Sequence, residues 1–361
     1  MTAPTERAEV IAVSFEACPP PQTGTCGQAD IETERGEEAV LPLGEEQFAP
    51  DLEVGNQIRV TRVEIPPGAA APPGAPGAES QAANAAAPSA TYNFTDFERR
   101  GPMLWLAIAF ALLVILFGRL RGALSLVGLA LSLAIVVLFI VPAILEGTSP
   151  LAVAIVGSLA VMLMTISLAH GLGPKSVAAI VGTSGSLLLV AMLSVIFTGL
   201  TNLSGMTGEE SVLLQMNGAD VSFDGLLIAG MVIGALGVLD DVTVSQASTV
   251  LALRSVNPEL SFGQLYRRAI DVGRDHVSAT VNTLVLAYVG ASLPVLLIFG
   301  SGQLGLFEAI NVELVADQVV AMLVGSIGLI AAVPITTALA AVLARGLSSE
   351  ELDDASLAHS H

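Results

Sequence analysis

The chain has 361 residues, 53% of them hydrophobic and 13% charged, with 33 acidic against 14 basic side chains and a formal net charge of −19. Soluble domains carry about 25% charged residues, so one ordinary soluble domain is excluded. The absence of any Lys/Arg cluster argues against nucleic acid as a partner, because phosphate contacts need one. Acids are frequent in residues 1–100, and residues 101–347 are mostly apolar, so the chain divides into two regimes.

Residues 1–65 read as a small β-rich domain of barrel type. Ala8–Phe15, Ala39–Leu43 and Gln57–Ile65 mix apolar and polar residues at strand length, punctuated by Gly, Asn and Pro. Both cysteines, Cys18 and Cys26, fall here, in CPPPQTGTC. They can close a small loop as a disulfide in an oxidising compartment, or stand as two free thiols. With no His nearby they do not make a zinc site. Residues 66–98 are expected to be a linker, since 66–91 are dominated by Pro, Gly and Ala and offer nothing large to bury.

From residue 99 to 347 the pattern is that of a polytopic transmembrane helical bundle. Crossing a hydrocarbon core of about 30 Å takes about 20 apolar residues. Seven stretches are predicted to do so: Met103–Phe117, Gly122–Leu145, Leu151–Ala169, Ser176–Leu200, Leu226–Leu253, Ser278–Phe299 and Gln318–Ala344. Tyr92 and Trp105 sit near the first interface, as aromatic anchors do. Arg119, Arg121, Lys175, Arg254, Arg267, Arg268, Arg274 and Arg345 fall in alternate loops or at the end of the last span. The loops between them carry Glu209, Glu210, Asp220, Glu308, Glu313 and Asp317 and no base. The positive-inside rule then places the basic loops in the cytoplasm, the N-terminal domain outside and the C-terminus inside, against Arg99 and Arg100 on the outer flank. Export of that domain needs an apolar signal, and MTAPTERAEV is none. A further span ahead of this sequence is therefore expected. Residues 348–361 read as a disordered acidic cytoplasmic tail, with His359 and His361 a weak metal ligand at best.

An internal repeat is also suggested. Met231–Arg254 and Met322–Arg345 align without gaps at an offset of 91, and Val153–Met162 resembles the stretch from Val320. Three helical hairpins related by an axis along the membrane normal would explain this; so would chance among Gly-, Ala- and Val-rich segments.

The fifth span carries the strongest chemical signal. Its apolar run, Leu226–Leu239, is short, and Asp240 and Asp241 follow at once, then Thr243, Ser245, Gln246, Ser248 and Thr249. If the helix continues to Leu253, both carboxylates lie near mid-membrane, where each costs at least about 2.5–3.5 kcal/mol without water, a cation or a partner. If the span ends near Leu239, both are interfacial. Gly230, Gly234 and Gly237 make a smooth face suited to close helix packing. A second cluster holds Asp271, Arg274, Asp275, His276, Thr280 and Asn282. Asp275 and His276 suit a solvated helix start, whereas Asn282 is deeper and is expected to reach toward Asp240. In the seventh span Pro334, Thr336 and Thr337 stand where the fifth has Thr243, Ser245 and Gln246, and Pro334 is expected to kink the helix. Gly182-Thr183-Ser184-Gly185 resembles the GxSG of rhomboid-type proteases, but His170 and His276 both lie at the cytoplasmic ends, far from Ser184, so no dyad forms. No enzymatic activity and no cofactor are expected.

GVLDDVTVSQAS, YRRAIDVGRDHVSATVNTLVLAYVGASLP and LVGSIGLIAAVPITTALAA resemble the YibE/F family of bacterial multi-pass membrane proteins, in the form typical of actinobacteria, over about residues 92–345. The resemblance implies a multi-pass protein of the bacterial cell membrane with an extra N-terminal span before the ectodomain. It supplies no mechanism and no catalytic residue. The residues themselves suggest a permease-like protein. Asp240, Asp241, Thr243, Ser245, Gln246, Asp275, His276, Thr280, Asn282 and Thr336 would handle a cation, proton or small solute. The alternative is a non-transporting scaffold or sensor whose ectodomain binds an extracytoplasmic protein. The lipid bilayer is the expected surrounding, with a homo-oligomer open.

Overall fold

A computed structural model describes residues 5–18, 24–64, 90–171, 173–216, 218, 221–302 and 305–347. The tail, with His359 and His361, and Asp220 lie outside these residues, as does most of the expected linker. The chain forms two compact units, Met1–Leu112 and Leu113–His361.

The first unit contains five antiparallel strands: β1 (Thr5–Ala17), β2 (Thr25–Thr33), β3 (Glu38–Glu45), β4 (Gln57–Glu64) and β5 (Ala90–Phe97). Their order is β3-β2-β1-β4-β5. Alternate residues point inward, as the two-residue period of a strand requires. Ala8, Val10, Ala29, Ile31, Leu41, Ile58, Val60 and Tyr92 together form one core. The outer strands β3 and β5 lie against each other, so the sheet curls into a small, partly open Greek-key barrel. At that edge the Tyr92 hydroxyl donates to Glu37 Oε2 at 2.9 Å. Strand β5 falls within the stretch read as linker, and this corrects the 66–98 boundary. Thr91, Tyr92, Phe94 and Phe97 are strand formers whose signal the preceding Pro/Ala-rich run obscured. Strand β2, unmarked in the sequence reading, pairs with β1 from Ala8↔Thr33 to Ala17↔Thr25. Just past the end of β1, Cys18 is joined to Cys26 by a disulfide.

The second unit is helical. Helix α1 (Arg100–Ile135) runs into it from the first and continues through a π-turn, Val136–Ile140, into α2 (Val141–Leu145). Then come α3 (Pro150–His170), α4 (Pro174–Leu200), α5 (Glu209–Met216), α6 (Phe223–Val256), α7 (Phe262–Ala291), α8 (Leu293–Ser301), α9 (Leu306–Asn311) and α10 (Glu313–Arg345). Arg119 interrupts α1 with φ 51° and ψ −130°. A Cβ on Gly122 would collide with the Val114 carbonyl oxygen, an atom that a straight helix would hold about 12 Å away. The chain therefore bends sharply at Arg119.

Five helical stretches among the described residues are long and apolar enough to cross a membrane: Arg100–Leu145, Pro150–Ala169, Pro174–Leu200, Phe223–Val256 and Glu313–Arg345. The pair α7–α8, bent by 61° at its break, makes a sixth if counted as one span. The sequence reading had seven. The difference lies in the first stretch, read there as two spans, and in the broken α7–α8. Helix α6 runs unbroken through its polar segment, the first of the two alternatives read from the sequence, and α10 is continuous through Pro334.

Helix α4 lies against both α6 and α10, which also touch each other; α3 packs on α6, and α7 on α10 and α6. Met162, Ile166, Leu187, Val190, Val232, Leu239, Val250, Leu329 and Ala341 lie in one core. Small residues set the closest approaches. A Cβ on Gly182 would collide with Thr336, one on Gly328 with Val190, and one on Gly273 would lie 2.6 Å from Val333. Where apolar helices gain little from leaving lipid, such close packing is what holds them together.

Candidate functional site: a paired carboxylate between α3 and α6

Asp240 stands about 26 Å along α6 from Phe223 and about 24 Å from Val256, at a rise of about 1.5 Å per residue. Both aspartates thus fall at mid-helix. They line a cavity of about 180 Å³ whose walls are Thr165, Ile166 and Ala169 from α3 with Gly237, Asp240, Asp241 and Val244 from α6. None of these residues is basic. Asp241 is exposed and Asp240 half-buried. The Thr165 hydroxyl donates to Asp240 Oδ2 at 3.2 Å, while it also lies 3.0 Å from the Val161 carbonyl of its own helix. Asp240 Oδ1 is buried with no hydrogen-bond partner among the described residues. The pair therefore holds one buried carboxylate oxygen without a partner, beside a second carboxylate that is exposed.

The other polar residues of α6 turn elsewhere. Thr243 is wholly buried and Gln246 is 3% exposed. Thr243 Oγ1 lies 2.6 Å from Thr183 Oγ1 of α4 and donates to the Asp240 carbonyl at 3.1 Å. Gln246 Nε2 donates to the Ala269 carbonyl of α7 at 2.8 Å and to Thr337 Oγ1 of α10 at 2.7 Å. Thr336, also wholly buried, packs on Gly182. These residues bind α4, α6, α7 and α10 to one another, and the aspartates face α3 instead. Ser245 is half-buried.

The α7 residues do not join the site. Asp275, His276 and Asn282 are exposed, and Thr280 is half-buried with its hydroxyl donating to the His276 carbonyl of its own helix at 2.9 Å. The expected approach of Asn282 to Asp240 is not observed, because α7 is buried only at Leu265, Ala269 and Gly273. The glycine face of α6 is a second correction: Gly230 and Gly237 have nothing within 4 Å of a Cβ position, and Gly234 has only the Tyr288 hydroxyl at 3.8 Å. The sequence reading missed Thr165 and Thr183. Neither stands out in the sequence, since Ser158 and Ser167 accompany Thr165 in α3 and several hydroxyls, Ser184 and Ser186 among them, accompany Thr183 in α4. Ser184, of the protease-like motif, donates to the Ile180 carbonyl at 2.7 Å. Among the described residues no group of three or more His, Cys, Asp or Glu side chains comes together.

Long apolar helices whose outward faces carry Leu112, Phe117, Leu188, Ile330 and Val342 around a core knitted by small and hydroxyl residues fit a multi-pass membrane protein. Within that class the chain belongs to the YibE/F-like family, whose model matches residues 106–346. No curated protein and no solved structure matches it.

Proposed function

We propose that the protein is a permease-like transporter that passes a cation or a proton by way of the Asp240–Asp241 cavity. One observation carries this: two adjacent carboxylates at the middle of a 34-residue apolar helix line an open cavity, and one of their oxygens is buried and unpaired. Ionisable groups at such depth are costly and mark ion or proton paths by default. The rival, a scaffold or sensor with a partner-binding ectodomain, accounts for Thr243, Gln246 and Thr336, which only join helices. It gives the two aspartates no role.

The topology we propose with this function has seven spans, the chain crossing once on either side of Arg119 and once through α7–α8. It lies in a bacterial cell membrane with the barrel outside and the C-terminus in the cytoplasm. The Cys18–Cys26 bond supports an oxidising, extracytoplasmic setting. The loop charges support the same orientation. Ion flux in sealed proteoliposomes tests the function, with protons, Na⁺, K⁺ and divalent cations tried in turn. Flux by the native protein that Asp240→Asn/Asp241→Asn abolishes, while the variant still folds, is the expected outcome. Equal flux in the double variant, or none of any ion from folded native protein, returns the argument to the scaffold.

A further inference from the structure

The repeat at offset 91 extends beyond α6 and α10. Shifted by 91, α4 covers residues 265–291, and α7 is Phe262–Ala291; shifted likewise, α6 covers 314–347, and α10 is Glu313–Arg345. Ala178, Gly182 and Val190 recur as Ala269, Gly273 and Val281, and Gly234, Gly237 and Arg254 as Gly325, Gly328 and Arg345. Contacts follow the same relation. Gln246 and Thr337, 91 apart, bond to each other across the meeting of the two copies. Gly182 abuts α10 at Thr336, and its counterpart Gly273 abuts α10 at Val333 and α6 at Gln246.

The two copies then part. Helix α4 is buried from Ser176 to Thr198, and Val190 presses onto Gly328 of α10. The corresponding pair, Val281 of α7 and Gly237 of α6, is not in contact: nothing lies within 4 Å of a Cβ at Gly237. Beyond Gly273, α7 contributes no fully buried residue, and Val277 and Val281 pack on the core only in part. Both helix pairs run antiparallel, as Gly182–Thr336 with Val190–Gly328, and Gly273–Gln246 with Tyr288–Gly234, require. Gln246 stands one residue past Ser245, the counterpart of Thr336, so the two registers nearly coincide, and the separation differs.

We propose that α7 is a gate for the Asp240–Asp241 cavity, and that its middle, residues 277–281, seats in the furrow left open by Gly230, Gly234 and Gly237, as α4 seats on α10. In that position Val281 covers Gly237, a wall of the cavity, and Val277, one turn along, comes level with Asp241. The open side of the cavity is closed by aliphatic side chains and its water is excluded. The proposal rests on the reading that the carboxylates hold a transported ion, but closure is measured without transport.

The test is a disulfide between Gly237→Cys and Val281→Cys in membranes, with a protease site placed in the 257–260 loop so that only cross-linked fragments stay joined. The chain's own two cysteines are already paired with each other. Gln246→Cys/Thr337→Cys, whose side chains bond at 2.7 Å across the cut, is the positive control. Gly237→Cys/Leu286→Cys, with Leu286 on an exposed face of α7, is the negative one. Cross-linking several-fold above the negative control is expected. A yield no higher than that control, while the positive pair forms, overturns the gate. Asp241→Cys/Val277→Cys reads the same closure if the first pair does not insert. Cross-linking in a protein that moves no ion upholds the gate and overturns only the transport reading.

Discussion

At the scale of single residues, the bundle depends on a few buried contacts. Gln246 makes two hydrogen bonds, to α7 and to α10, and its replacement by Leu forfeits both. Each is worth roughly 1 kcal/mol, and more where a buried group loses its partner, so Gln246→Leu should lower stability by about 1–3 kcal/mol. Gly182→Ala drives a methyl into Thr336 and should cost about 1–3 kcal/mol, the range for overpacking a filled core. Thermal unfolding in detergent measures both, and no loss in either would mean that the helices reseat. In the barrel, Tyr92 is pushed up to about 12, first by burial, then by its hydrogen bond to Glu37 and the charges of Glu6 and Glu37. A raised pKa means that the folded state holds the proton more tightly. This contribution to stability is complete below the ordinary value near 10 and is lost as pH rises toward 12. Absorbance of the phenolate should show a transition near pH 12 that is missing in Tyr92→Phe.

At the scale of elements, periodicity and length carried most of the reading, and local backbone chemistry accounts for what they missed. Helices α3, α4, α6 and α10 were legible because 20 or more apolar residues permit little else. Strand β5 was not, because its eight residues follow a Pro/Ala-rich run that resembles a tether. The carboxylates were legible as anomalies in an apolar span. Their separation from Gln246 and Thr336 was not, since it depends on which neighbour each face of α6 meets. The stand-off of α7 was equally invisible, as its spacing of small residues matches that of α4. The break in α1 falls where Arg119 and Arg121 suggested a loop, yet Arg119 itself holds a positive φ. Conformations of that kind cost about 1–3 kcal/mol for a residue with a Cβ. Arg119→Gly should therefore raise stability, whereas Leu120→Gly should not. A stability lowered equally by both changes would show that the break carries no strain.

For the whole molecule, the orientation is open to a direct test. A single thiol at Thr207, in the loop between α4 and α5, should react with an impermeant maleimide from outside intact cells. One at Asn257, between α6 and α7, should react only after permeabilisation, and the reverse pattern would invert the proposed topology. The doubling of the helical unit has one more consequence. Where α6 has Asp240 and Asp241, α10 has Ala331 and Ala332, so the two helix pairs proposed as copies hold one Asp–Asp pair between them. The expected stoichiometry is one ion per chain, with a hyperbolic isotherm and no cooperativity inside the monomer. Sigmoidal binding would have to arise between chains, from an oligomer rather than from the duplicated fold.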